Sequence, residues 1–161
     1  MPNSKLLLLP ELLEALKKRT DQTIVTTNGC FDLLHAGHVG YLDWAKAQGD
    51  CLVMLLNTDE SVRRIKGPLR PINSEEDRAK VLAALEAIDY ICFFDAETPV
   101  PELEAIRPNV HVKADQYTEE SLPEATVLKA MGTRMAFSPM QDGISTTELI
   151  SRINRAYASA T

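Results

Sequence analysis

Two histidines three positions apart, His35 and His38, enclose Gly37 and follow the run Asn28, Gly29, Cys30, Phe31, Asp32. At the start of a helix this spacing puts both imidazoles on one face, near free backbone N–H groups and the positive end of the helix dipole. Such a place suits a polyphosphate, because an imidazole can donate a hydrogen bond to oxygens whose charge grows during phosphoryl transfer. Gly29 lets the chain turn sharply and bring backbone close to a ligand. Two other readings stand beside this one. A zinc site would need a third His, Cys or carboxylate close by in sequence, and none completes a convincing pattern. A helix start with no chemistry is the other.

A second segment of the same kind runs from Asp142 through Gly143 and Ile144 to Ser145, Thr146 and Thr147. Ser145 or Thr146 is a candidate N-cap, and Glu148 adds an acid to the first turn. Because the segment follows a strand-like run, its hydroxyls and N–H groups can meet phosphate on the same edge as the histidines. Between the two segments, Arg63 to Asn73 combines Gly67, Pro68 and Pro71 with three arginines and Lys66, and reads as a mobile loop.

The elements that must carry these residues alternate in period. Helical patterns cover Pro10 to Lys18, Gly37 to Ala47 (closed by Gly49), Ser74 to Ala87, Pro101 to Ile106, Pro123 to Ala130 and Thr146 to Ala158. In the helix after Ser74, that serine is an N-cap before three acids in the first turn. Short apolar or β-branched runs at Thr23 to Thr27, Cys51 to Leu56, Tyr90 to Phe94, Val110 to Lys113 and Arg134 to Ser138 read as strands. Strands this apolar are buried on both faces, which implies a parallel sheet between helices. The expected fold is one Rossmann-like, doubly wound α/β domain over residues 1–161, with about five strands and residues 1–20 as a helical segment packed on it. Ligands of such folds bind beyond the C-terminal strand ends, where both phosphate segments fall.

Composition narrows the partners. The 161 residues carry a formal net charge of -6 with no basic block, which argues against a polynucleotide partner. Cys30, Cys51 and Cys92 are odd in number and far apart, a pattern of a reducing compartment rather than of a disulfide framework. Leu6 to Leu9 is too short for a membrane span or a signal core. The expectation is a cytoplasmic protein with no membrane partner. His111, inside an apolar run, reads as a packed histidine. Tyr41 and Trp44 read as packing or a subunit contact, and Lys46 as helix surface.

Thr27 to His38, together with Ile144 to Thr147, resembles the cytidylyltransferase-like superfamily that carries the H-x-G-H signature. Arg64 to Arg78 and Leu82 to Tyr90 are similar to the adenylyltransferases of ADP-heptose biosynthesis, and the likeness runs over nearly the whole chain. It implies transfer of AMP from ATP to a heptose 1-phosphate with release of pyrophosphate. In that scheme His35, His38 and Lys66 would be catalytic. Asn28, Gly29, Cys30, Phe31, His35, His38, Lys113, Asp115, Ser145, Thr146 and Thr147 would bind the nucleotide. Arg78 would bind the acceptor, and so would Asp32 unless its carboxylate instead bonds turn amides. A Mg2+ ion would arrive with the triphosphate, with no protein side chain as its ligand. The resemblance also implies a homodimer.

One segment departs from the likeness. Those enzymes usually read Lys-Gly-Gly-Asp-Tyr after the fourth strand, whereas this chain has Lys113, Ala114, Asp115, Gln116, Tyr117. Side chains in place of glycine re-pattern a close backbone approach to the base. The departure keeps two alternatives open: a cytidylyltransferase acting with CTP on glycerol 3-phosphate or a related phosphoalcohol, and a nucleotide-binding protein without catalysis.

Overall fold

The computed structural model describes residues 4–139 and 145–158. In chain order the elements are α1 (Leu9–Leu16), β1 (Ile24–Gly29), α2 (Ala36–Lys46), β2 (Cys51–Asn57), α3 (Asp59–Lys66), α4 (Glu75–Ala83), β3 (Tyr90–Phe94), α5 (Val100–Ile106), β4 (Val110–Ala114), α6 (Ala125–Met131), β5 (Arg134–Ser138) and α7 (Thr146–Ala158). The five strands form one parallel sheet in the order β3-β2-β1-β4-β5. The direction of winding reverses between β1 and β4, which opens a crevice at their C-terminal ends.

The alternation of side chains along β2 explains both the unbroken apolar run and the two helical layers. Leu52, Met54 and Leu56 join Leu42 and Ala45 of α2 and Ala79 and Leu82 of α4 in one core. Cys51, Val53 and Leu55 point the other way, to Leu12 of α1, Leu103 of α5 and Leu128 of α6. Successive strand residues face opposite sides, so a strand buried on both faces must be apolar throughout. The doubly wound α/β sheet expected from the sequence is therefore present, with all seven positions of β2 buried.

Several local expectations hold, and some change. Ser74 caps α4 by accepting from the Asp77 amide at 3.2 Å, although the helix ends at Ala83 rather than near Ala87. Gly49 is a packing requirement: a Cβ there would lie 2.6 Å from Val25 Cγ2 and 2.7 Å from the Thr23 carbonyl. The N-terminal segment does more than supply a helix. Leu7 donates to the Ile91 carbonyl and Ile91 to that of Lys5, so this strand-like stretch covers the outer edge of β3. His111 is packed as expected, fully buried with Nδ1 2.8 Å from Thr26 Oγ1. Lys46 is a tether rather than surface decoration, since its ammonium binds Asp89 and the Asp50 carbonyl, each at 2.6 Å. The Asp59–Lys66 helix is an addition to the expected elements, and it places Lys66 on the last turn of α3 instead of on a loop.

Candidate active site

The chain leaves β1 at Gly29 and turns through Phe31, whose backbone sits in the left-handed region at φ 45°. A Cβ on residue 29 would lie 2.8 Å from the Phe31 ring, so glycine is what allows this turn. A bulky residue held at positive φ is strained, and the surrounding contacts must hold it there. The Phe31 ring packs against His38 with centroids 4.9 Å apart.

The turn delivers both histidines to the start of α2. His35 is the N-cap residue by backbone geometry, yet its side chain makes no capping hydrogen bond. The imidazoles of His35 and His38 stack with centroids 3.8 Å apart and planes 20° from parallel. Both ring nitrogens of His35 and Nδ1 of His38 are buried without a hydrogen-bond partner. Buried polar atoms are seldom left so, and this group fits a ligand that brings oxygens to them. Burial, and secondarily the neighbouring His35, pushes the His38 pKa down to about 4; burial also lowers that of His35. Both rings are thus neutral at pH 7, each with one N–H to donate.

These groups line a cleft of about 710 Å³ across the C-terminal edge of the sheet. Asn28, Gly29, Cys30, Phe31, Asp32, His35, His38, Lys66, Lys113, Ser145, Thr146 and Thr147 all face it. The sequence picks out two distant segments as phosphate sites, and the fold brings them to one cavity. Ser145 caps α7 by accepting from the Glu148 amide at 3.1 Å. Residues 140–144, including the Asp142 to Ile144 part of that segment, lie outside the described residues. Burial raises the pKa of the Cys30 thiol, which disfavours a thiolate nucleophile.

Arg78 takes a different place from the one expected of an acceptor-binding residue. Its side chain is fully buried, and its guanidinium donates to the carbonyls of Cys30 (2.7 Å), Asn57 (2.9 Å) and Asn73 (3.2 Å) and to Asp59 Oδ1 (2.8 Å). It ties the ends of β1 and β2 to the approach to α4 instead of reaching the cleft. Asp32 lines the cleft but bonds turn amides, the other of its two expected roles. Its carboxylate accepts from Ile72 N (2.8 Å), Asn73 N (2.9 Å) and Arg70 Nε (2.6 Å). Burial alone would raise its pKa, but the Asn73 and Ile72 amides and Arg70 outweigh this and hold it below the usual range. The stretch that reads as a mobile loop in the sequence is therefore anchored at residues 70, 72 and 73. Asp115 is not among the residues facing the cleft, whereas its neighbours Ala114 and Gln116 are.

The cleft also recruits two residues that read in the sequence as packing or a subunit contact. Tyr41 and Trp44 line it, and the Tyr41 hydroxyl bridges Thr27 Oγ1 (2.6 Å) and the Val112 carbonyl (3.0 Å). The available signal was the three-residue spacing His38, Tyr41, Trp44 along α2, which keeps the three on neighbouring parts of one face. Lys113, its pKa lowered by burial, donates to Asn28 Oδ1 at 2.9 Å and sits 4.9 Å over the Tyr117 ring.

Residues 26–152 match the family described as Cytidylyltransferase-like. The bifunctional protein HldE of Syntrophotalea carbinolica is 45% identical over 157 residues, 96% of this chain and 32% of that protein. HldE of Alcanivorax borkumensis is 52% identical over 132 residues, 82% of this chain and 28% of that protein. The chain thus spans about a third of the length of the curated relatives it matches. Among solved structures, a lipopolysaccharide core biosynthesis protein from Thermoplasma volcanium superposes with a TM-score of 0.62 at 23% identity, covering 76% of this chain and 99% of that one. A pantoate-beta-alanine ligase from Francisella tularensis gives 0.60 at 13%, covering 95% and 77%. At these identities the superpositions establish a shared Rossmann-like fold. With the H-x-G-H pair at the switch point and the family match over most of its length, the chain belongs to the cytidylyltransferase-like family and is a nucleotidyltransferase.

Proposed function

We propose that this chain is a single nucleotidyltransferase domain that transfers AMP from ATP to a sugar 1-phosphate, a heptose 1-phosphate, releasing pyrophosphate and forming an ADP-sugar. The observation that carries the reading is the stacked, neutral His35–His38 pair, which lines a cleft shared with Ser145 to Thr147 and in which both nitrogens of His35 and Nδ1 of His38 are buried without a hydrogen-bond partner. The heptose acceptor rests on the sequence likeness over Arg64 to Arg78 and Leu82 to Tyr90.

In this scheme the acceptor phosphate, already anionic at neutral pH, attacks the α-phosphorus with no general base. One P–O bond forms, the bond to the bridging β-oxygen breaks, and pyrophosphate leaves with that electron pair. Catalysis is alignment plus charge stabilisation. His35 and His38 donate N–H groups to the α-phosphate oxygens as their charge rises. Lys66 and the start of α7 with Ser145, Thr146 and Thr147 hold the β- and γ-phosphates. Arg70, paired with Asp32 through Nε, lines the cleft where Arg78 does not, which supports it as the cation that meets the acceptor phosphate. Mg2+ would arrive with the triphosphate, where it would neutralise phosphate charge. A homodimer in the cytoplasm completes the proposal, and sedimentation analysis tests the dimer.

A pyrophosphate-release assay crossing ATP and CTP with heptose 1-phosphates and glycerol 3-phosphate tests the substrates. His38→Ala should lower kcat/KM by roughly 10²–10³-fold with the fold intact. Unchanged turnover removes His38 from the mechanism. The CTP reading keeps one observation in its favour: Ala114 and Gln116, where the heptose enzymes have glycine and aspartate, both line the cleft. Faster turnover of CTP with a phosphoalcohol would establish it.

A further inference from the structure

The β4–β5 side of the cleft contains a carboxylate that neither the phosphate chemistry nor the core accounts for. Glu124 is the N-cap residue of α6, lines the cleft, and is only 2% exposed. Its side chain makes no capping hydrogen bond, and its Oε2 is buried without a partner. Lys113 feels its charge, but gives its ammonium to Asn28 and Tyr117. A buried carboxylate oxygen left without a donor is costly, which points to a donor that arrives with the ligand.

The surroundings say which donor. A carboxylate repels a triphosphate, and the anion-binding groups (the two histidines, Lys66 and the start of α7) are accounted for. Near Glu124 in sequence or across the sheet edge, the cleft is lined by Tyr117, Pro123 and Pro139, flat or apolar walls suited to an aromatic ring. Ala114 and Gln116, where the chain departs from the heptose enzymes, are on this same side. Resting on the ATP reading above, we infer that Glu124 is a specificity-determining residue that accepts a hydrogen bond from the exocyclic amino group of the nucleotide's base.

The test deletes the amino group from the ligand and the acceptor from the protein. ATP and its 6-deamino counterpart, purine riboside triphosphate, are compared on the wild-type chain, Glu124→Gln and Glu124→Leu, with CTP and its 4-deamino counterpart in parallel. Turnover is read as pyrophosphate release. Binding of non-hydrolysable analogues is read from Trp44, the single tryptophan, which lines the cleft. Loss of the amino group should lower wild-type kcat/KM by about 50-fold or more, because the carboxylate is then left unpaired. The effect should shrink to about 5–10-fold in Glu124→Gln, which keeps a neutral acceptor of the same shape, and to under about 3-fold in Glu124→Leu. The binding ratios should follow the same order, so a variant with poor turnover still reports. An amino-group effect below about 3-fold in the wild type, or of equal size in all three proteins, overturns the inference while pyrophosphate release leaves the functional reading standing. A wild-type chain that neither binds nor turns over any nucleotide overturns both.

Discussion

Arg78 and the two histidines show what a single side chain can settle at this site. The guanidinium of Arg78 presents a rigid fork of donors, and three backbone carbonyls and Asp59 use it from four directions. A lysine has one compact charge and cannot span these acceptors. Arg78→Lys is therefore expected to lower stability by about 2–4 kcal/mol, read as a urea midpoint, since it leaves buried acceptors unsatisfied. An arginine that only gripped the acceptor would instead raise KM and leave the midpoint unmoved, so the two measurements together check the role. The histidine pair was legible in the sequence because its geometry is local: three positions at a helix start fix a shared face. The fate of Arg78 was not. An arginine after three acids in a helix's first turn looks like solvent-facing charge, and its burial depends on where the ends of β1 and β2 fall in space. Glu124 was silent for the same reason, as nothing near it in sequence announces that it is buried in the cleft wall with a carboxylate oxygen left unpartnered.

The elements divide along the same line between local and non-local causes. Strands were readable because burial on both faces demands unbroken apolar runs, as along Cys51 to Leu56. Helix α3 was hard to read because only Val62 and Ile65 of its eight residues are apolar, and its charged second half runs into the basic, proline-containing stretch that follows. Its signals were at the ends: Thr58 accepts from the Ser61 amide at 3.2 Å, and Asp59 and Glu60 fill the first turn. The stretch beyond it, rich in proline and glycine, has the composition of a mobile loop, yet Asp32 ties residues 70, 72 and 73 to the end of β1. That tether links the turn after β1 to the basic loop, alongside the Asn73 side chain on the Asp32 carbonyl and Arg78 between the Cys30 and Asn73 carbonyls. Asp32→Asn keeps the shape but removes the charge facing Arg70, and a loss of about 2–4 kcal/mol is expected from breaking a largely buried pair. The sharper check is kinetic. The variant should lose kcat/KM with the acceptor by about 10-fold, on the scale of a misplaced positioning group, and faster amide exchange at residues 70–73 should accompany the loss. Unchanged exchange there would show that the loop is held by something else.

At the scale of the whole molecule the same burial that prepares the site sets its tolerance of acid. The chain has three histidines, and each is shifted downward in the fold, chiefly by burial. His38 is held at about 4 and His111 at about 3, against an ordinary value near 6.5 in the unfolded chain. Between these values the unfolded state binds protons that the folded state refuses. Stability is therefore complete above about pH 6.5 and falls as pH drops from there toward 4, with a limiting slope of about 1.4 kcal/mol per pH unit for each histidine that titrates fully on unfolding. Asp32, its pKa depressed in the fold, adds a further loss below the ordinary carboxylate range. Turnover should be indifferent to the protonation of His38 between pH 6 and 8, because the ring is already neutral there. Urea midpoints measured from pH 8 to pH 4.5 should then be level at first and fall below about 6.5. His111 contributes chiefly through burial, with the Lys113 charge as a second cause; it is not among the cleft-lining residues, and Thr26 is its partner. His111→Asn removes one titrating group and keeps a polar atom facing that hydroxyl. It should flatten the descending limb while leaving the pH profile of pyrophosphate release unchanged. A limb of the same steepness in that variant would assign the acid sensitivity to the histidine pair and the carboxylates instead.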